Sequence, residues 1–537
     1  MARPVDPPTS LDAETYLERF GWHPEPELVA YRDESASREA MERLGAATWR
    51  AALDYLYGHA LVTARGLPND YPGTRRSFYA PGDGPSAAPS RPTPAGALLD
   101  EFMERLAPHQ LNPSHPRHFG YFTPPPLVMS VMGELLAQVA NQGIDVWHAG
   151  PTGALVEEEV IRWLCELVGF ADTAFGVLTS GGVMANFMGL ALARDVQLGR
   201  IVGGRPPRGA DLEGGRVYAS DQAHFSVARA LDELGFPPET LVVVPSDDRF
   251  QLTGEAVADA VARDRAAGCR PFAIAAVAGS TNTGSVDRIG ELADLASREG
   301  LWLHVDAAYG GAARLSARDA SRVADLDRAD SLTLDPHKWF FQPYDVGGLL
   351  VREGRHLLEV FGGRRPEYYR GAERPVDRPL DGGHDGEGGH DSDADGDALS
   401  FYRLSFEGTR RWRALKLWLS WKHLGTEGLG RLVAANIDLA AYLTRRVAAS
   451  DDFEAVIDPP ELSVVCFRHL PPGAASLPAA EIDGHQDRLQ SALEASGDGW
   501  LTTTRLRGRT WLRAGIMNFL STEADVDRLL EDLRALA

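Results

Sequence analysis

Cysteine is nearly missing from this chain: three of 537 residues, Cys165, Cys269 and Cys466, stand far apart with no CxxC or zinc-like spacing. That excludes a disulfide framework and fits a reducing compartment. No apolar run approaches the ~18 residues that a membrane-spanning helix needs. The opening stretch, MARPVDPPTSLDAETYLERF, lacks the basic-then-apolar order of a secretion signal. A soluble cytoplasmic chain is expected. Positive charge is also short, with 54 Lys and Arg against 76 Asp and Glu and a formal net charge of -22. Such a balance opposes general affinity for nucleic acid or anionic membranes, so neither is expected as a partner. Internal repeats are lacking.

What is present is an ordinary globular composition, 44% hydrophobic and 24% charged. Residues 1–105 read as helical pieces followed by the Pro/Gly/Ser-rich link YAPGDGPSAAPSRPTPAG. They cannot bury a sizeable core alone and are expected to pack on another surface, such as a second subunit. Residues 106–425 read as a large α/β domain. The strand-like runs FGVLT, RVYAS, LVVVP, FAIAAVA, LWLHV, SLTL and GGLLV alternate with longer helix-period segments. Alternation of that kind predicts βαβ units and a mainly parallel sheet. Within it, 381–397 (DGGHDGEGGHDSDADGD) is acidic and Gly-rich and reads as a surface loop. Its DSDADG resembles the start of a calcium loop, but Tyr402 replaces the closing Glu, so no metal is expected there. Residues 426–537 read as a small C-terminal α/β domain.

Ligands of open parallel sheets sit beyond the carboxyl ends of strands, so the residues after each run carry the argument. FGVLT leads to Ser180, Gly181 and Gly182 before a helix, a turn suited to an anion or merely to a tight bend. RVYAS leads to His224, and FAIAAVA leads to the hydroxyl-rich turn holding Thr281. LWLHV ends in Asp306, and an ionised carboxylate there is costly without a cation or donor. Ala307 and Ala308 follow and leave room for a flat ligand. SLTL leads to DPHKWFF, where Lys338 sits among His337, Trp339, Phe340 and Phe341. A sheltered amine is either paired or reactive, and drying by these aromatic rings is expected to lower its pKa. Phosphate nest, flanking imidazole, buried carboxylate and sheltered amine together describe a site for pyridoxal 5'-phosphate.

The chain resembles the pyridoxal-phosphate-dependent group II amino-acid decarboxylases, the family of the aromatic-L-amino-acid, glutamate and histidine enzymes. HPRHFGYFTPPP, SDQAHFSVARA, LHVDAAYGG, DPHKW and RRWRALKLW carry the resemblance, which spans about residues 105–425. It implies fold type I, the aspartate aminotransferase-like α/β fold, and a homodimer with active sites at the interface. Lys338 would form the Schiff base with the cofactor, Asp306 would pair with the pyridine nitrogen, and Ala308 would lie against the ring. His224 would stack on the other face and place the substrate carboxylate. Thr281 falls near the cofactor, and His337, Ser180, Gly181, Gly182 and Val183 fall around its phosphate. Tyr368 would be the loop tyrosine that returns a proton after CO2 leaves, with Tyr369 adjacent in the same register.

The resemblance has departures. Val183 stands where the family usually has Ser or Thr, Met184 where it often has Glu, and Phe225 where a small Ser follows the histidine. The expected activity is decarboxylation of an L-amino acid to the amine and CO2. Two alternatives stay open: decarboxylation coupled to oxidative deamination, giving an aldehyde, and a cofactor-binding homologue without catalysis. Phe119, Tyr121, Phe122 and Trp147 are candidates to line an aromatic substrate pocket, or to be core.

Overall fold

The computed structural model describes residues 34–57, 71–78, 88–363 and 400–537. Tyr368, Tyr369 and the acidic segment 381–397 lie outside them. Two compact units divide the chain, residues 1–118 with 491–500 and Leu536, and residues 119–490 with 501–535 and Ala537.

In the first unit the helix Glu34–Tyr57 buries little beyond Ser37 and Ala40. Tyr55 donates a hydrogen bond to Leu111 O at 3.2 Å, and the His118 and Trp500 rings lie 5.1 Å apart. Trp49 and Tyr57 remain exposed.

The second unit is built on seven strands. They are β1 (Phe175–Thr179), β2 (Gly215–Ser220), β3 (Leu241–Val244), β4 (Arg270–Val277), β5 (Trp302–Asp306), β6 (Ser331–Leu334) and β7 (Gly347–Val351). They lie in the order β1-β7-β6-β5-β4-β2-β3. Neighbours from β6 to β3 are parallel, whereas β7 runs antiparallel to both β1 and β6. The mainly parallel sheet expected from the alternation is therefore present. GGLLV alone reverses, because the residues between Leu334 and Gly347 form turns and no crossover helix. Every residue of β1, β5, β6 and β7 is buried. That is why these strands read as continuous apolar runs and not as half-polar alternations.

A smaller antiparallel sheet follows, in the order β10-β11-β9-β8. It comprises β8 (Phe453–Ala455), β9 (Val464–His469), β10 (Thr502–Leu506) and β11 (Arg509–Gly515). The half-polar TTTRL of β10 carries little apolar signal and is defined by its pairing with β11. One helix, Ala414–Ala448, spans RALKLW and the later helical stretch, broken at Gly425, which sits at φ 67°.

The RRWRALKLW segment has a structural office. Arg410 and Glu157 form an ion pair with both side chains fully buried. Arg410 Nη2 also donates to Leu178 O at 2.8 Å, and Glu157 Oε1 accepts from Leu178 N at 3.0 Å. The pair thus clamps β1 just before the turn that follows it. Burial pushes the Glu157 carboxyl above its usual range, against the pull of Arg410 and the Leu178 N–H. Removing one partner of such a pair strands the other charge. Arg410→Met is therefore expected to destabilise this unit by about 3–5 kcal/mol, seen as a lower midpoint in chemical unfolding. The double variant Arg410→Met/Glu157→Leu should recover most of the loss. An unchanged midpoint in the single variant would show that the pair contributes nothing.

Candidate active site

The carboxyl ends of β1, β2, β4, β5 and β6 open into one cavity of about 410 Å³. Its lining brings together Ser180, Gly181, Gly182, Val183, His224, Thr281, Asp306, Ala308, His337 and Lys338. Six of the seven strands of the large sheet run the same way, which is why residues so distant in sequence share one edge.

At the β1 end, the helix Gly182–Leu192 starts at the cavity, so its first-turn N–H groups are available to an anion. A Cβ on Gly182 would come within 2.8 Å of Asp335 Oδ2 and 3.4 Å of the Ala308 methyl, so only glycine fits where the three segments meet. His337 is buried beside this turn, its Nδ1 accepting from Val346 N at 3.3 Å. Burial lowers the His337 pKa despite Asp335, leaving the imidazole neutral.

Asp306 is 7% exposed. Its Oδ2 accepts from Asn186 Nδ2 at 2.7 Å and its Oδ1 from Ala308 N at 3.1 Å. His224 lies on the cavity wall with Nδ1 2.7 Å from Ser226 Oγ, and burial lowers its pKa although Asp306 pulls the other way.

Lys338 corrects one expectation. Trp339, Phe340 and Phe341 are indeed buried, and the stack Phe122–Tyr309–Trp339 has ring centroids 4.3 and 4.9 Å apart. Lys338 Nζ sits 5.8 Å from the Phe122 ring centre. Burial by these groups does oppose the ammonium. Asp335 and Asp306 outweigh it, and the amine is held above the ordinary lysine value. The chief partner is Asp335, whose Oδ2 lies 3.0 Å from Nζ.

The loop that carries Lys338 is tied down from behind. Lys416 Nζ donates to Pro343 O at 2.8 Å and Asp345 O at 3.1 Å, and pairs with Glu134 at 3.0 Å. Arg411 and Arg413 reach Asp345 at 3.2 and 3.6 Å.

The four aromatic candidates do not line the cavity. Phe119 is 1% exposed, in the core; Phe122 is sealed between Tyr309 and the Arg513 guanidinium; Trp147 packs against the core; and Tyr121 is 58% exposed. Apolar lining comes instead from Val183, Met184, Phe225 and Tyr344. Asn186 and Asp335 also face the cavity, and the sequence motifs do not single them out. Asp335 has one signal, an acid three residues before the lysine; Asn186, inside an apolar helix, offers only its lone polarity.

A family model described as "Pyridoxal-dependent decarboxylase conserved domain" matches residues 80–374 and 390–470. An aromatic-L-amino-acid decarboxylase of Bacillus atrophaeus is 34% identical over 440 residues, covering 82% of this chain and 85% of that protein. An L-2,4-diaminobutyrate decarboxylase of Rhizobium meliloti (strain 1021) is 30% identical over 439 residues, covering 82% and 81%. Among solved structures, Oryza sativa TDC with PLP and tryptamine is similar in fold with a TM-score of 0.81 at 24% identity, covering 96% of this chain and 99% of that one.

The Lys338–Asp335 pair makes a pH prediction. A lysine held above its ordinary value contributes stability that is complete at neutral pH and fades as pH rises through the raised value. Asp335→Asn removes the main opposing charge, so burial should then dominate and lower the Lys338 pKa. Competitive acetylation of the cofactor-free protein, read at Lys338 by mass spectrometry, should show the variant's amine reacting at lower pH. Superimposable profiles would refute the pairing.

Proposed function

The chain belongs to the pyridoxal-dependent decarboxylase family, and from that premise we propose an aromatic L-amino acid as its substrate and a division of labour among the cavity residues. The enzyme is a carboxy-lyase that uses pyridoxal 5'-phosphate to convert an L-amino acid to an amine and CO2. The aldehyde-forming and inactive alternatives are not favoured.

The donor set fits the cofactor. A helix N-terminus and His337 suit its phosphate, Asp306 suits its protonated ring nitrogen, and Lys338 suits its aldehyde carbon. Ala308 and His224 would flank the ring, with Ser180, Gly181, Gly182, Val183 and Thr281 around it. When bound, the cofactor supplies an electron-withdrawing ring that takes up the electron pair of the breaking Cα–carboxylate bond. The chain's residues do the rest in this reading. Lys338 and Asp335 form an acid–base pair through which the amine sheds and regains its proton. Asp306, held by Asn186 Nδ2 and Ala308 N, would face the ring nitrogen and pair with it. The Phe122–Tyr309–Trp339 stack excludes water behind the amine. Return of a proton to Cα is assigned to Tyr368, outside the described residues.

The observation that supports an aromatic substrate is the composition of the cavity wall. Val183, Met184, Phe225 and Tyr344 offer apolar surface, Phe225 and Tyr344 being more than half exposed. Of the charged groups there, Asp335 and Lys338 pair with each other, and Asp306 and Lys338 would be taken up by the cofactor. A diaminobutyrate side chain would need a carboxylate of its own.

A cytoplasmic homodimer belongs to the same proposal. The helix Val128–Ala140 exposes Val128, Leu135, Leu136 and Val139, an apolar face of the kind subunits cover. Among the described residues no helix is long and apolar enough to cross a membrane. Light scattering after size exclusion should give twice the chain mass; a stable active monomer would sink the dimer.

With cofactor added, aromatic L-amino acids should yield amine and CO2 one to one, with kcat/KM at least about tenfold above L-2,4-diaminobutyrate. The reverse order would overturn the substrate assignment. Lys338→Ala should lose at least about 10³-fold in kcat, and normal turnover in that variant would overturn its role.

A further inference from the structure

Beneath the cavity runs a line of buried polar side chains that branches at Asn186. Its exposure is 1%, and Ser226, His304, Ser331 and Thr333 are fully buried. Asn186 Nδ2 donates to Asp306 Oδ2 at 2.7 Å and to Ser226 Oγ at 2.8 Å. Its Oδ1 accepts from Thr333 Oγ1 at 2.7 Å and faces His304 Nε2 at 3.0 Å. All four hydrogen-bonding capacities of the amide are used.

The donors can be assigned one after another. An ionised Asp306 only accepts, so the amide nitrogen must face it. The second amide proton goes to Ser226 Oγ, which leaves the serine's own proton for His224 Nδ1, 2.7 Å away. The backbone N–H of Ser226 also points at that nitrogen, at 3.3 Å. Nδ1 of His224 is therefore an acceptor twice over, and the neutral ring carries its proton on Nε2. On the other side, His304 must donate from Nε2 to Asn186 Oδ1. Its Nδ1 then accepts from Ser331 Oγ at 2.8 Å, and Trp302 Nε1 donates to the same Ser331 oxygen at 2.8 Å. Burial holds His304 at about 4, so it stays neutral in this role. The ring needs Gly189, one turn beyond Asn186, where a Cβ would lie 2.4 Å from His304 Cε1.

We propose that Asn186 is a positioning residue for decarboxylation, aiming the Asp306 carboxylate at the cofactor ring nitrogen and, through Ser226, fixing His224 as the Nε2–H tautomer that donates to the substrate carboxylate. The proposal deepens the reading above and rests on it for the identity of the two ligands. Nothing in the motifs of the family resemblance includes this amide; its assignment comes from the geometry of the network.

Two variants separate its arms. Asn186→Asp keeps the shape but sets an acceptor 2.7 Å from Asp306 Oδ2 and draws the Ser226 proton away from His224. Pyridoxal 5'-phosphate, titrated by its visible absorbance, should bind at least about tenfold more weakly. Ser226→Ala cuts only the His224 arm. It should leave cofactor affinity within about twofold while lowering kcat/KM about tenfold. Nitrogen-15 histidine spectra of the cofactor-loaded wild type, assigned with His224→Gln, should show Nε2 protonated and Nδ1 bare, with mixed tautomers in Ser226→Ala. A wild-type His224 protonated on Nδ1, or an Asn186→Asp enzyme with unchanged cofactor affinity and spectrum, would overturn the proposal. If Asn186→Asp does not fold, the Ser226→Ala tautomer shift decides alone. A wild type with the Nε2–H signature but no decarboxylation of any amino acid would overturn the functional reading and leave the tautomer assignment standing.

Discussion

Asp306 is a carboxyl group taken out of water with no cation in ion-pairing distance among the described residues, and hydrogen-bond donors stand around it instead. Desolvating an ionised group costs several kcal/mol unless hydrogen-bond donors replace the lost water. Here the donors are an amide from the helix Gly182–Leu192 and a backbone N–H two residues along the chain. Both exist only because β5 ends where that helix begins its second turn. The sheet register, the helix position and the buried amide are therefore one constraint seen from three sides.

Lys338 shows a second balance. Aromatic burial alone would favour the neutral amine, as its neighbours in DPHKWFF suggest. In the folded chain Asp335 sits three residues earlier on the same turn, and its charge reverses the outcome. The folded chain thus favours the ammonium form of Lys338, with the Asp335 carboxylate 3.0 Å from Nζ. Scarcity underlines the point: only three lysines occur in the chain, Lys338, Lys416 and Lys422. Of the other two, Lys416 anchors the loop that carries Lys338.

The RRWRALKLW segment illustrates how function is supported from a distance. None of its charged residues lines the cavity, yet Arg410 clamps β1, while Arg411, Arg413 and Lys416 hold the Lys338 loop through Asp345 and Pro343. Arg410 makes its clamp with one nitrogen, Nη2, which meets both the Glu157 carboxylate and the Leu178 carbonyl.

Apolar runs, helix periods and the residues that follow each run are local properties, and they suffice to place Ser180, Gly182, His224, Thr281, Asp306, His337 and Lys338 at strand ends. They also set the α/β class, since a run buried on both faces cannot alternate. Which side chains meet is decided by register and helix packing across long separations, and no local pattern encodes that. Asn186 reaches Asp306 across 120 positions. Phe122 closes over Tyr309 and does not line the cavity, and GGLLV reverses because its connection forms no crossover helix. The sequence by itself determined which chemical groups stand at the edge of the sheet. Which partners those groups meet was settled by the tertiary fold, because packing across long separations brings donors and acceptors within hydrogen-bond distance.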